Sequence, residues 1–200
     1  MKRRTLLGVA SITLALAAAG GVDRAWSQAG GWVTLLDSTK MGEWDVVGDA
    51  NWRMEAGAVV ADKKTVKESA FLVTKESYKD FEIKAEFWSD EEANSGIFIR
   101  CTDAKTITSK NSYEVNIFDK RPDPSYGTGA IVDVAKVSPM PKAAGKWNTL
   151  EIVAKGPRMI VKFNGVQTVD VEDARFASGP FALQYGSGVI KFRKVEVRKL

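Results

Sequence analysis

Apolar and polar residues alternate along most of the chain beyond residue 30, and the period of the alternation is two. Phe81, Ile83, Ala85 and Phe87 share one parity, with Glu82, Lys84, Glu86 and Trp88 on the other. Ile97, Ile99 and Cys101 alternate with Phe98 and Arg100, and Tyr113, Val115 and Ile117 with Glu114, Asn116 and Phe118. Successive side chains of an extended backbone point to opposite faces, so this pattern predicts half-buried strands. Further strands are expected at 32–36, 58–61, 70–74, 147–154, 158–163, 166–170, 180–185 and 189–198. Asn164-Gly165, between Phe163 and Val166, predicts a two-residue hairpin, because both central residues tolerate positive φ. Gly156-Pro157 marks another tight connection. Near Arg193 the apolar phase slips, with Ile190 and Phe192 on one parity and Val195 and Val197 on the other; a β-bulge repairs such a slip. From Asp119 to Gly145, four prolines and two internal glycines predict a long structured loop, broken by a short strand at 130–134. Many short strands, Gly/Pro turns and no helical period together imply an all-β domain, a sandwich or jelly roll.

The N-terminal segment follows a different rule. Lys2, Arg3 and Arg4 precede an uncharged apolar stretch from Leu6 to Val22, and small residues at Ala25, Ser27 and Ala29 suit signal peptidase. The stretch is short and rich in Ala and Gly for a membrane span. Residues 1–27 are therefore expected to be a removable export signal. A general secretory signal and a twin-arginine signal, the latter on Arg3-Arg4-Thr5-Leu6-Leu7, both fit. The expectation is one domain over 28–200, periplasmic or secreted and without a membrane anchor.

Removing that segment changes the charge. Lys2, Arg3, Arg4 and Arg24 against Asp23 give +3 of the chain's net +4, which leaves about +1 for the remainder. No Lys/Arg block remains to neutralise phosphates, so nucleic acid is not an expected partner. The single cysteine, Cys101, excludes an intramolecular disulfide. The chain has no histidine, which excludes Ser-His-Asp and Cys-His machinery and His-ligated zinc. Catalysis here must use carboxylates, Lys, Arg, Tyr or a hard metal ion held by oxygen.

If the three central strands are neighbours, their non-core parity brings Glu82, Lys84, Glu86, Trp88, Phe98, Arg100, Glu114, Asn116 and Phe118 to one surface. Rings pack against the C–H faces of a sugar while charged and amide groups bond its hydroxyls. An ordinary solvated face with cross-strand ion pairs, or a layer of sheet covering the rings, satisfies the same pattern.

A series of motifs adds to this. It runs through Gly31-Trp32, Leu35-Leu36-Asp37 and Gly42-x-Trp44, then Tyr78-x-Asp80-Phe81-Glu82 and Asn94-Ser95-Gly96-Ile97-Phe98-Ile99-Arg100. Tyr113-Glu114-Val115-x-Ile117-x-Asp119, Gly127-Thr128-Gly129-Ala130-Ile131 and Gly145-x-Trp147-Asn148-Thr149 follow, then Asn164-Gly165-Val166, Gly179-Pro180-Phe181-x-Leu183-Gln184 and Phe192-Arg193. In this order the motifs resemble the 3-keto-disaccharide hydrolase domain family, also described as 3-keto-α-glucoside 1,2-lyase and 3-keto-2-hydroxyglucal hydratase. The resemblance implies a concanavalin-A-like β-sandwich of antiparallel strands with a concave sugar-holding sheet. It also implies action on glycosides already oxidised at C3, by removal of the C2 proton, elimination across C1–C2 and hydration.

Carried onto this chain, the resemblance makes Glu114 and Glu86 the base and acid, in either order, and Arg100 the stabiliser of the enolate oxygen. Asp119 would position the sugar or bind a divalent cation, although no metal-ligand set is assigned. Asn94, Ser95, Asn116 and Gln184 would bond hydroxyls, and Trp88 would stack. The chain departs from the family where Asn116 stands for Gln, Val132 for Tyr, Tyr185 for His and Lys194 for Asn. Tyr185 would replace part of the lost function through its phenol. Three readings stand: an exported enzyme acting on an oxidised sugar, a non-catalytic lectin-like module, and a partner-binding domain.

Overall fold

The computed structural model describes residues 31–200, so the export segment expected at 1–27 lies outside the described residues. In chain order the strands are β1 (Val33–Leu36), β2 (Trp44–Val47), β3 (Arg53–Glu55), β4 (Ala58–Ala61), β5 (Ala70–Thr74), β6 (Phe81–Ser89) and β7 (Ser95–Ile99). They continue with β8 (Tyr113–Ile117), β9 (Trp147–Lys155), β10 (Arg158–Phe163), β11 (Val166–Glu172), β12 (Ala182–Tyr185) and β13 (Ile190–Lys199). One 3₁₀ turn, Pro124–Tyr126, lies in the long loop. An eight-stranded sheet runs β11-β10-β9-β6-β13-β4-β3, with β1 also paired to β13, and a five-stranded sheet runs β2-β5-β12-β7-β8. The strand ladders are antiparallel. This is the all-β, jelly-roll sandwich that the alternation implied.

The core lies between the two sheets and takes one parity from each strand. Along β6 buried and half-buried residues alternate without a break, and Phe81, Ile83, Ala85 and Phe87 are fully buried. They meet Ile97, Ile99, Tyr113, Val115, Ile117 and Leu183 from the other sheet in one cluster. Burying each of these large side chains stabilises the fold by roughly 1.5–3 kcal/mol, so Phe87→Ala would cost about 3–5 kcal/mol. The Asn164-Gly165 hairpin forms as expected, with φ of 49° and 79°. So does the bulge, where the β13–β6 register shifts between Phe192 and Lys194. Among the described residues, no helix is long and apolar enough to cross a membrane.

Four details differ from the sequence reading. β2 and β3 were not expected; they are short, and most of their side chains are exposed, so their apolar signal is weak. β7 stops at Ile99 because Arg100 turns the backbone to a φ of 53°. β12 starts at Ala182, since the carbonyl of Pro180 bonds the Cys101 amide instead of a sheet partner. The strand expected at 130–134 is reduced to bridges of Ile131 with Val115 and Ala135.

One further difference decides which side chains share a face. β6 has β13 and β9 as neighbours, whereas β7 has β12 and β8. The chain therefore changes sheets between Ser89 and Ser95. Glu82, Lys84, Glu86 and Trp88 point outward from the eight-stranded sheet, and Phe98, Glu114 and Asn116 outward from the five-stranded one. The single face expected from the three central strands does not exist.

Candidate functional site

The outer face of the five-stranded sheet is built in rows by its register. Gln184 lies opposite Phe71, and the pairing of Leu183 with Ile97 sets Gln184 beside Gly96, which in turn faces Asn116. The next row holds Val73, Ala182, Phe98 and Glu114. Beyond β8 the long loop extends the sheet, with the Val132 amide bonded to the Glu114 carbonyl and the Asn116 amide to the Ala130 carbonyl. Val132 is thus the cross-strand neighbour of Glu114.

One part of this face is sealed. Phe71, Val73, Phe98, Cys101, Ile107 and Ala182 form a second apolar cluster beneath the 101–112 loop. Phe98 and Phe71 meet edge to face at 5.3 Å. Phe98 is therefore packing rather than a ring offered to a ligand. Phe118 stays half-buried at the other end of the face.

Beside that cluster the polar groups are buried without being satisfied. The Gln184 amide nitrogen donates to Ser69 Oγ at 3.2 Å, and its Oε1 has no partner. The Asn116 amide nitrogen donates to the Tyr126 carbonyl at 2.7 Å, and its Oδ1 has no partner. Glu114 is 8 % exposed, and no side-chain hydrogen bond reaches its carboxylate among the described residues. A buried acceptor left unpaired costs about 1–3 kcal/mol, so the Asn116 and Gln184 oxygens together, beside a largely buried carboxylate, are expensive unless donors arrive from outside the chain. Gly96 is the floor between them. A Cβ there would stand 3.5 Å from Gln184 Oε1, 3.6 Å from Glu114 Cγ and 2.9 Å from the Val115 carbonyl. A glycine inside a strand signals such close approach, and that signal was readable in Asn94-Ser95-Gly96.

Burial pushes the Glu114 carboxyl up to about 7. The Arg121 guanidinium opposes that rise and the Asp133 carboxylate adds to it, but desolvation outweighs both. Arg121 makes no hydrogen bond or ion pair of its own among the described residues. No spacing or periodicity pointed to Arg121, because it enters from the loop.

Of the residues expected to form the site, the structure brings together Glu114, Asn116 and Gln184, with Asn94 one row further on the same parity. It does not bring the others there. Glu86 lies on the opposite side of the sandwich, where Arg193 Nε binds it at 2.5 Å. Trp88 shares that outer face, with Lys191 Nζ 4.9 Å from its ring centre. Arg100 is 1 % exposed and acts as an internal staple. Its guanidinium donates to the carbonyls of Lys79 at 2.7 Å, Gly156 at 2.8 Å and Phe176 at 3.3 Å, with Asp80 3.6 Å away. Burial lowers its pKa from the usual arginine value, and the nearby Asp80 charge opposes that. Ser95 points to the core parity and donates to the Gln184 carbonyl at 2.7 Å. Tyr185 also points inward, with its hydroxyl on the Gly188 carbonyl at 3.1 Å and its ring edge-on to Trp52.

Asp119 clamps the long loop. Its carboxylate accepts from Thr128 Oγ1 at 2.6 Å and from the amides of Ala143 and Ala144 at 2.9 and 3.1 Å. A carboxylate so engaged does not fit the cation-binding role expected for it, and no group of three metal-ligating side chains occurs among the described residues. Two cavities of about 410 and 400 Å³ lie elsewhere, one lined by Trp44, Tyr78 and Val197 and the other by Pro139, Met140 and Phe163. Neither includes a buried polar group lacking a partner. The buried amide oxygens without partners at Asn116 and Gln184 therefore lie beside Glu114 and not in these two cavities.

The fold has solved counterparts. A candidate glycosyl hydrolase from Parabacteroides distasonis ATCC 8503 superimposes with a TM-score of 0.67 at 24 % identity, over 86 % of this chain and 100 % of that one. A second from the same organism gives 0.71 at 17 % identity, over 85 % and 94 %. A carbohydrate-binding module from Bacillus subtilis gives 0.56 at 18 % identity, over 84 % and 94 %. At these identities the likeness establishes the sandwich alone. A search of curated protein sequences returns no match. The sequence itself goes further: residues 31–198 match the profile of the 3-keto-alpha-glucoside-1,2-lyase-like domain, and the chain belongs to that family.

Proposed function

We propose that this is an exported, carbohydrate-active protein that cleaves 3-keto-glycosides at the Glu114 face of its five-stranded sheet. The observation that carries the reading is the state of Glu114: buried, without a hydrogen-bond donor, and titrating near neutrality beside two amide oxygens that also lack partners. A general base for a carbon acid works best with a pKa near ambient pH. The ketone at C3 acidifies C2–H. Glu114 takes that proton and the C2–H electron pair delocalises onto the C3 oxygen as an enolate. Its collapse forms the C1–C2 double bond as the C1–O bond breaks, and the departing oxygen takes the proton back from Glu114. Water then adds across the double bond, so the net result is hydrolysis. Asn116 Oδ1 and Gln184 Oε1 accept from sugar hydroxyls. Arg121 takes the role expected of Arg100, supplying positive charge for the enolate oxygen.

The second reading, a lectin-like module without turnover, is favoured by Val132. That position faces Glu114 across the ladder and carries a hydrocarbon where the family has a phenol. Purified protein incubated with a 3-keto-disaccharide separates the two. Free sugar released by the wild type, and lost in a folded Glu114→Gln variant, supports the enzyme. Saturable binding without release supports the module, and the absence of both release and binding removes both readings.

A further inference from the structure

The residues that fall away from the Glu114 face form an organised surface of their own. Trp88 and Trp147 lie directly opposite each other on β6 and β9, with side chains on the outer face of the eight-stranded sheet. Trp147 is 37 % exposed. Arg193 occupies the bulge of β13, the position left out of register with β6. A bulge re-aims its side chain, and here it sets the guanidinium 4.3 Å from the Trp147 ring centre. Glu86 holds the Nε edge of that guanidinium at 2.5 Å, while its two terminal nitrogens have no partner among the described residues. Lys191 stands over Trp88 at 4.9 Å.

A planar guanidinium fixed on a ring and along one edge keeps its outer pair of N–H donors in a fork that matches a carboxylate. The rings beside it offer apolar faces suited to C–H surfaces. Cations exceed carboxylates by one across this part of the sheet: Lys84, Lys191, Arg193, Lys194 and Arg198 stand against Glu82, Glu86, Glu151 and Glu196, and Lys191 has no ion-pair partner among the described residues. A second ring between two cations, Trp32 between Lys84 and Arg198, lies about 13 Å along the strand, at roughly 3.3 Å per residue, although there Glu82 engages both Nε and one terminal nitrogen of Arg198. An extended ligand of alternating ring faces and carboxylates fits this spacing better than a compact one.

We infer that the outer face of the eight-stranded sheet is a second binding surface, for a carboxylate-bearing glycan chain, independent of the Glu114 site. Calorimetric titration of the purified protein with an oligogalacturonate, and with its methyl ester of equal length, tests this. The wild type binds the acid form, at least tenfold more weakly at about 300 mM than at about 20 mM sodium chloride. Arg193→Gln and Trp147→Ala, with unchanged melting temperatures, each weaken binding roughly tenfold or more, and Glu114→Gln does not. Lys191→Gln provides a second probe if Trp147→Ala fails to fold. Equal binding of the methyl ester, unchanged affinity in the Arg193 and Lys191 variants, or no binding by the wild type overturns the inference. Self-association that Arg193→Gln abolishes, without glycan binding, would make this face a protein interface and overturns it equally.

Discussion

At the scale of single residues, two buried charged groups on the five-stranded sheet have opposite meanings, and hydrogen bonding separates them. Arg100 satisfies its guanidinium on three backbone carbonyls, so its burial is structural. Removing it leaves those carbonyls unpaired. Arg100→Ala should therefore cost about 3–5 kcal/mol in urea unfolding, and loss of turnover without loss of stability would restore a catalytic role. Glu114 has no such partners. Its folded pKa of about 7 lies above the ordinary 4.5, so the folded state holds a proton that the unfolded state releases between those values. The resulting stability is complete below about pH 4.5 and is lost as pH rises through about 7, a loss of roughly 3 kcal/mol. Glu114→Gln should match the wild type near pH 5 and exceed it in melting temperature near pH 8.5; parallel curves would contradict the burial. Cys101 shows the inert version of the same effect. Its thiol is pushed up to about 12 by burial, so it should resist thiol reagents until the protein unfolds.

At the scale of elements, the chain announces its strands but not their sheets. Strict alternation over Phe81–Ser89, the Asn164-Gly165 turn and the phase slip at Arg193 were all legible, because each is a local consequence of strand geometry. The destination of β7 was not. Five residues between Ser89 and Ser95 serve a hairpin or a change of sheet equally well, and parity cannot distinguish them, since both leave Ile97 inside and Phe98 outside. That one ambiguity misplaced Glu86 and Trp88, while Glu114 and Asn116 keep the shared outward parity read for them, and Gln184, named only through the family resemblance, lies one strand beyond Gly96. Arg100 was misread for a smaller reason. A positive φ at the end of β7 turns it off the strand parity, and nothing in Ile97-Phe98-Ile99-Arg100 signals the turn. Gly96 was readable as a close approach, and it gives a prediction at this scale. A methyl group there meets the Val115 carbonyl at 2.9 Å across the β7–β8 ladder. Gly96→Ala should cost about 1–3 kcal/mol in denaturant unfolding and weaken sugar binding in the same protein. A fully stable variant with unchanged affinity would show that the floor between Gln184 and Glu114 is not tight.

For the whole molecule, the sandwich is a separator. Two sheets packed face to face lie about 10 Å apart, and outward side chains add their own length on each side. Glu86 and Glu114 are thus far enough apart for their contributions to stability to be independent, as sites beyond about 7–10 Å without shared partners generally are. They also differ in kind. Glu86 is a half-exposed partner of Arg193, worth at most about 1 kcal/mol, whereas Glu114 is a buried, unpaired carboxylate. A double-mutant cycle of Glu86→Gln and Glu114→Gln, followed by urea unfolding at pH 8, should give an interaction energy below about 0.5 kcal/mol. The single changes should have opposite signs: a small loss for Glu86→Gln and a gain for Glu114→Gln, because the glutamine removes the cost of a buried charge. Two carboxylates serving as acid and base in one groove would behave otherwise, since each would set the other's pKa and the cycle would not close. Strong coupling between them would therefore return Glu86 to the site and undo the division of the molecule into two independent faces.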